Sequence, residues 1–547
     1  MSADVRHELR QYPLLMQQLL IARGITSAAD AEVFLRPDYE RDIHDPFLLD
    51  GMDVATARIK EAIDKQETIA IYHDYDMDGI PGAVVLHDCF KNLGHTQIVL
   101  YVPHRNRDGF GLHKAALDTL HKDGVTLIIT VDCGITGVAE VAYANKLGID
   151  VIITDHHLPA GDAELPDALA IINPNKGTCG YPNKDLCGAG VAWQLARALG
   201  AGNEKWMLDM VGAATLSDMV RLTGENRALT HFGLKVLRKS NRHGLVALCK
   251  KTGIAQSYLS EEDLTFMIAP RINAASRMDN PELARDILLA DTPEAAHKGA
   301  EALEHLNNSR KGTVAGMLRD AHRRLADRGE LSPVIVIGDP EWLPGLAGLV
   351  ANTLSEELDR PVFVYGGASE DPSVLKGSCR GNGAIDVVRL MDAVADVWRE
   401  YGGHTHSGGF GIDKEHIHTL EDVLSKHVLD ASIETAAETD RTDLELTLDS
   451  VNWDTYRQIE QFGPFGVGNP KPVILLQQVI PKTITNFGKE KNHLKLSFDA
   501  VEAIGFFMTR EQFSLEDNTA LTLLAHMEQS FFRGKPELRL RIVDIVS

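Results

Sequence analysis

The sequence is short of cysteine, of basic charge and of long uncharged apolar runs, and each shortage excludes something. It has six cysteines in 547 residues, Cys89, Cys133, Cys179, Cys187, Cys249 and Cys379, and no two form a CxxC pair. That is no disulfide framework, and it disfavours a structural zinc held by paired thiolates. A reducing, cytoplasmic setting is the expectation. No stretch of about 18 uncharged apolar residues occurs, so no membrane span is expected. The first ten residues are polar and lack the apolar core of a signal peptide. Lys and Arg number 55 against 78 Asp and Glu, a formal net charge of -23. This excludes a protein that coats nucleic acid with a uniformly basic surface. A basic groove in an acidic body stays open, and an acidic excess suits an enzyme that holds hard cations.

What is present is an ordinary folded composition, 44% hydrophobic and 24% charged, with length for three or four domains at roughly 150 residues each. Residues 1 to 50 read as short helices. From Thr68 the pattern becomes short apolar runs, at Thr68–Tyr72, Gln97–Val102, Leu127–Val131, Val151–Thr154 and Leu169–Ile172, alternating with Ala-rich helical stretches. Continuous apolar strands between helices predict a parallel sheet covered on both faces. Residues 230 to 330 are mostly helical, and Thr292-Pro293 is a cap and first turn from which a helix runs to about Asp327. A second α/β pattern begins at Pro333 and ends near the glycines of 402–411. Residues 411–450 hold 11 acidic and 3 basic residues, a solvated boundary segment. Residues 471–547 are short alternating strands with 10 basic and 9 acidic residues; the first 470 hold 45 and 69, net -24.

The chemistry sits where parallel-sheet folds place it, just past the C-terminal ends of strands. Asp74-Tyr75-Asp76-Met77-Asp78-Gly79 follows the first run, Asp132 the third, and Asp155-His156-His157 the fourth; Asp218 follows an Ala-rich apolar run. A single Asp after a strand is as often turn or capping chemistry. Three carboxylates in five residues repel one another unless a cation neutralises them, and two histidines add nitrogen ligands. Carboxylate with imidazole suits Mn2+ or Mg2+. The donors suffice for two ions, which together clamp a phosphoryl displacement and lower the pKa of an attacking water, so no Ser or Cys nucleophile is needed.

DYDMDG, VDCG, TDHH and LSDMV, in this order and spacing, resemble the four motifs of the DHH phosphoesterases, and most closely those of its single-strand-specific exonucleases. The resemblance extends to Arg23-Gly24-Ile25, Phe34-Leu35, Pro103-His104-Arg105, Gly109-Phe110-Gly111-Leu112, Leu186 to Ala192, Gly224-Glu225-Asn226-Arg227 and Arg271 to Ala275. Glu341 to Gly345, Lys376 to Arg380 and Gly402-Gly403-His404 resemble the DHHA1 domain. Gly463-Pro464-Phe465-Gly466 and Gly468-Asn469-Pro470 resemble the opening of an OB-fold.

The resemblance implies an α/β fold in five parts. These are an N-terminal helical segment (1–50), a parallel-sheet DHH catalytic lobe (51–230), a long helical connector (231–330), a smaller α/β DHHA1 lobe (331–450) and a C-terminal β-barrel OB-fold (451–547). It implies metal ligation by Asp76, Asp78, Asp132, His156 and Asp218, with Asp74 and His157 as ligands or their immediate partners. Asp155 is expected to orient a histidine. Arg105, Arg271, Arg277, Arg380 and His404 become candidate contacts to DNA phosphates. In the barrel, Lys489, Lys491, Lys495, Arg533, Lys535, Arg539 and Arg541 supply charge, and Phe531 and Phe532 could stack bases. The expected activity is 5′-to-3′ hydrolysis of single-stranded DNA to nucleoside 5′-monophosphates in repair and recombination, with a single-strand-binding protein and a helicase as family partners and no membrane.

Three departures from the family pattern stand out: His73 where glycine is usual before the first Asp, Ser276 where glycine is preferred, and Ser407-Gly408 where alanines follow the glycine-stretch His. His73 reads best as a satisfied strand-end side chain, with metal ligation and general-base roles as alternatives. Alternatives for the whole chain are a short-oligonucleotide or cyclic-dinucleotide phosphodiesterase, a non-catalytic replication scaffold and an inorganic pyrophosphatase. The length and the strand-binding tail argue against the first and the last. The intact set of motif carboxylates argues against the scaffold.

Overall fold

The structure is a computed structural model that describes residues 3–159, 165–367, 371–433, 442–530 and 536–546. The chain divides into two compact units. One comprises His44–Val220 and Phe232–Ala437; the other gathers Met1–Ile43, Arg221–His231 and Glu438–Ser547.

The larger unit begins with five parallel strands, β1 (Thr68–His73), β2 (Ile98–Tyr101), β3 (Val125–Val131), β4 (Asp150–Thr154) and β5 (Ala170–Ile172), in the order β2-β1-β3-β4-β5. Their unbroken apolar character reflects burial on both faces. Ala70, Tyr72, Ile128, Val151 and Ile153 pack with Leu117 and Leu120 of helix Lys114–Lys122 and Val141 of helix Val138–Lys146. On the alternate positions, Ile69, Ile71, Ile129, Val131 and Ile152 are fully buried as well. A Cβ on Gly82, in helix Gly79–Asn92, would lie 2.5 Å from the Val131 side chain and 3.1 Å from Ala189 in helix Gly188–Leu199. Glycine there lets two helices and the sheet meet. Each such apolar side chain contributes about 1.5–3 kcal/mol by leaving water.

Helices from Phe232 onward lead to the helix Pro293–Ala326, 34 residues and about 51 Å long. Thr292 caps it by accepting the Ala295 amide at 3.2 Å. Its buried residues, Ala296, Ala300, Leu303, Asn307, Met317, Ala321 and Leu325, fall at helical spacing on one stripe. A second sheet follows, β6 (Ile335–Gly338), β7 (Val362–Gly367), β8 (Val374–Arg380), β9 (Trp398–His404) and β10 (Ser407–Asp413), ordered β6-β7-β8-β10-β9. Only β6 and β7 run parallel. Gly402 and Gly403 pair with Gly409 and Gly408 across the β9–β10 hairpin. A Cβ on Gly403 would strike Ser407 and Gly408, so glycine lets the two strands approach closely there.

The smaller unit holds a seven-stranded sheet, β11 (Leu444–Glu445), β12 (Ile474–Val479), β13 (Thr483–Phe487), β14 (His493–Ser497), β15 (Glu502–Gly505), β16 (Leu521–Ser530) and β17 (Glu537–Val546), ordered β11-β12-β16-β17-β15-β14-β13. Its core is shared with the N-terminal helices: Leu9, Met16, Leu19 and Leu20 pack with Phe462, Ile474, Leu476 and Leu523. Arg227 binds these segments together. It donates to the carbonyls of Phe34 (2.9 Å), Gly463 (2.8 Å) and Pro464 (3.3 Å), with its guanidinium carbon 3.9 Å from the centre of the Phe34 ring. Arg23 donates to Asn469 Oδ1 at 2.8 Å and to the Pro470 carbonyl at 2.9 Å. The motifs around Arg23, Phe34, Arg227 and Gly463–Pro470 thus meet at one junction. Among the described residues, no helix is long and apolar enough to cross a membrane.

Candidate metal centre and strand-binding surfaces

The first motif leaves β1 and turns directly into helix Gly79–Asn92. A Cβ on Gly79 would lie 2.5 Å from the Asp74 carbonyl oxygen, so only glycine allows the turn. Asp76 Oδ1 accepts the Asp78 amide at 2.8 Å. Asp78 is buried at the N-terminus of helix Gly188–Leu199, where its two oxygens accept the Gly188 and Ala189 amides at 2.6 and 2.7 Å. Helix N-termini stabilise such anions. Asp132 follows β3 with φ of 61°, the left-handed region, and a Cβ on Gly188 would sit 2.6 Å from the Asp132 Cβ. The sequence Leu186 to Ala192 therefore supplies both the donors and the space that this carboxylate group needs.

His156 Nε2 lies 3.1 Å from Asp132 Oδ1, 3.6 Å from Asp78 Oδ2 and 3.8 Å from Asp218 Oδ2. Asp155 is taken up by the protein. Its Oδ1 accepts the His156 and His157 amides (2.7 and 3.1 Å) and faces His157 Nδ1 at 2.7 Å; its Oδ2 accepts the Ile135 amide at 3.0 Å. Three overlapping groups bring donor atoms within 4.8 Å of one another: Asp132, His156 and His157; Asp78, His156 and Asp218; Asp74, Asp76 and Asp132.

The electrostatics describe anions that lack a counter-charge. Burial, then repulsion from Asp76, pushes Asp74 well above the usual carboxylate range and Asp78 to about 7. Burial and Asp78 do the same to Asp132, and raise Asp218 to about 9. Burial and its neighbour His157 lower His156 to about 4. His157 moves the other way. Burial opposes its charge, but the bond to Asp155 lifts it to about 9, and Asp155 is itself held low despite burial. Asp74 Oδ1 and Asp132 Oδ1 are buried without a hydrogen-bond partner. Orphaned buried carboxylate oxygens are costly, and oxygen and imidazole donors of this kind fit a hard divalent cation. His73 is fully buried beside them, its Nδ1 2.7 Å from the Asp74 carbonyl, and burial drops it to about 3.

A basic cluster adjoins the acidic one. Arg105 lies over the Tyr75 ring, 5.0 Å from its centre. Arg277 donates to the Gly345 carbonyl at 2.8 Å, and Gly345 donates to Asn106 Oδ1 at 3.1 Å. Burial, then Arg105, Arg310 and Arg380, lowers Arg277 to about 9; burial and Arg105 also lower Arg380. Among the described residues, Arg105, Arg277 and Arg380 form no ion pair with a carboxylate within 4.0 Å, although the charge of Arg105 is felt by Asp74. His404, exposed at the end of β9, is near enough that its charge disfavours that of His156. Arg271 is placed differently, bonded to Glu304 and the Met267 carbonyl, both at 2.5 Å.

In the seven-stranded sheet, Phe531, Phe532, Arg533 and Lys535 lie outside the described residues. Lys495 pairs with Glu502 at 2.5 Å and Arg539 with Glu528; Arg541 is on β17. Lys489 and Lys491 are exposed in the β13–β14 loop. A ring cluster that the sequence pattern did not reveal stands beside them. His493 packs against Phe487, Phe506 and Phe507 at 5.4, 5.5 and 5.0 Å, and Phe507 is 78% exposed. The adjacent Phe506-Phe507 was the available signal.

Comparison with known proteins matches three families along the chain: the DHH family, N-terminal domain, over residues 68–216, the DHHA1 domain over 331–429 and the RecJ OB domain over 442–544. The chain is 32% identical over 535 residues to the single-stranded-DNA-specific exonuclease RecJ of Bacillus subtilis (strain 168), covering 96% of this chain and 67% of that one. It is 30% identical over 580 residues to the protein of the same name from Haemophilus influenzae, covering 99% and 97%. Among solved structures, RecJ in complex with Mn2+ from Thermus thermophilus superposes with a TM-score of 0.81 at 26% identity, over 100% of this chain and 78% of that one.

Proposed function

The chain belongs to the RecJ family of single-stranded-DNA-specific exonucleases, and from that premise we propose that it hydrolyses single-stranded DNA from the 5′ end, releasing nucleoside 5′-monophosphates. One observation carries the reading. Buried carboxylate oxygens with no protein donor lie beside arginines that form no ion pair with a carboxylate among the described residues. The first want a cation and the second an anion, and a phosphodiester approached by divalent metal satisfies both.

Asp76, Asp78, Asp132, His156 and Asp218 would hold two ions, Mn2+ or Mg2+, with Asp74 and His157 completing the set. Bound there, such ions polarise the phosphodiester and activate water. The chain's own residues do the rest. Asp155 fixes the ring of His157 and, through the His156 and His157 amides, the loop that carries both histidines. Gly188 and Ala189 orient Asp78 through both its oxygens. Arg105, Arg277, Arg380 and His404 grip backbone phosphate near the scissile bond, and Arg271 supports the helix that carries Arg277. On the β13–β14–β15 side of the seven-stranded sheet, Lys489, Lys491 and the rings around His493 hold further nucleotides by charge and stacking. Affinity then falls steeply with salt. A single-strand-binding protein and a helicase are the partners such an activity calls for.

The test uses single strands labelled at either end, with Mn2+, and compares wild type with Asp132→Ala. The expected result is early mononucleotide release from the 5′ label, lost in the variant. Early release from the 3′ label would overturn the direction, and activity surviving in the variant would overturn the metal site.

A further inference from the structure

The rim of the metal centre carries apolar groups that no cation needs. Phe110 is 46% exposed, and its ring centre is 5.3 Å from that of His157 in an edge contact. Leu158, next after His157, is 67% exposed, and Met219, next after Asp218, is 63% exposed. Large apolar side chains left in water beside a polar site mark a surface that a ligand covers.

Phe110 is not a loose loop residue. Gly109 and Gly111, with φ of 91° and 90°, turn the chain on either side of it. The buried Tyr72 hydroxyl donates to the Gly111 carbonyl at 2.9 Å, and Leu112 anchors the loop in the sheet's core. On the other side, the His104 carbonyl accepts the amides of Arg107, Asp108 and Gly109, and Asp108 accepts the His104 amide at 2.8 Å. The backbone is tied down at both ends, and the one large side chain between the glycines stays about half exposed beside His157.

The same loop carries Arg105, whose guanidinium stands over Tyr75 of the first motif. A cation for phosphate and a ring for a base are therefore five residues apart, one above the first metal motif and one against the third. That arrangement has the outline of a single nucleotide.

We propose that Phe110, packed against His157, forms a stacking shelf for the base of the nucleotide being released. The proposal rests on the single-strand exonuclease reading above and adds to it a contact to the base, which metal and arginine do not make. Stacking on one ring is independent of base identity, so it suits an enzyme that must remove every nucleotide. It requires that a base be there.

The experiment compares strands with an ordinary or an abasic nucleotide at the end where hydrolysis starts, using wild type, Phe110→Leu and Phe110→Tyr, with Mn2+. Wild type is expected to prefer the ordinary end by about tenfold in kcat/KM. Phe110→Leu should lose most of that preference by falling on the ordinary strand alone, and Phe110→Tyr should keep it. Equal losses on both strands in Phe110→Leu would show a support role for His157 and overturn the shelf. So would an undiminished preference. If wild type releases no mononucleotide from either strand, the exonuclease reading itself fails, which is a different outcome.

Discussion

At the candidate metal centre, Asp74 and Asp132 each bury a carboxylate oxygen that accepts no hydrogen bond; at the junction of the smaller unit, Arg227 commits its guanidinium to the carbonyls of Phe34, Gly463 and Pro464. Both regions bury charge. In the first the bonds are withheld, and in the second they are made. The difference teaches what each kind of residue is for: the acids are kept for something that binds, and the arginine is kept for the fold. Substitutions should therefore separate function from stability in opposite senses.

The largest effect is expected at Asp132. Asp132→Asn should reduce hydrolysis by at least about 10³-fold, because the cation's several kcal/mol of stabilisation is lost. It should also raise the melting temperature of metal-free protein, since a buried uncompensated charge is gone. Mn2+ at about 100 times its Kd stabilises wild type by about 2.7 kcal/mol and should leave the variant unmoved. A metal-free variant less stable than wild type would erase the contrast. Next is Arg227→Ala, which orphans buried carbonyls and should cost the smaller unit about 3 kcal/mol in urea unfolding. Its kcat on very short oligonucleotides below the melting range should hold. The smallest is Asp155→Asn, which keeps an oxygen but loses charge beside His157, and should weaken Mn2+ binding about 10- to 100-fold by calorimetry with little change in unfolding. A large stability loss there would place Asp155 with Arg227 instead.

Much of this is legible in the sequence because it is local. Asp74, Asp132 and Asp155 follow short apolar runs that read as buried strands, and Thr292-Pro293 announces the long helix within two residues; the run before Asp218 is a helix, Leu208–Ser217. What is not legible depends on distance along the chain. Arg271 looks like any candidate phosphate contact until Glu304 is brought to it by helix packing. Leu9, Leu19 and Leu20 show an apolar helix face but not that its cover lies in the last hundred residues. The left-handed backbone of Asp132 has no signature at Asp132 itself; its space is provided by Gly188. The rings around His493 sit on and beside three successive strands and become one surface only when β13, β14 and β15 pair.

The junction around Arg23 has a consequence for synthesis. Arg23 and its partner Asn469 are 446 residues apart. At about 5–20 residues per second, a ribosome takes roughly 20–90 s to travel between them. For that interval the N-terminal helices exist with their apolar faces uncovered, while the catalytic sheet behind them is already emerging. Leu19 and Leu20 therefore precede their cover by hundreds of residues, and their faces close only once Phe462, Ile474 and Leu523 have been made.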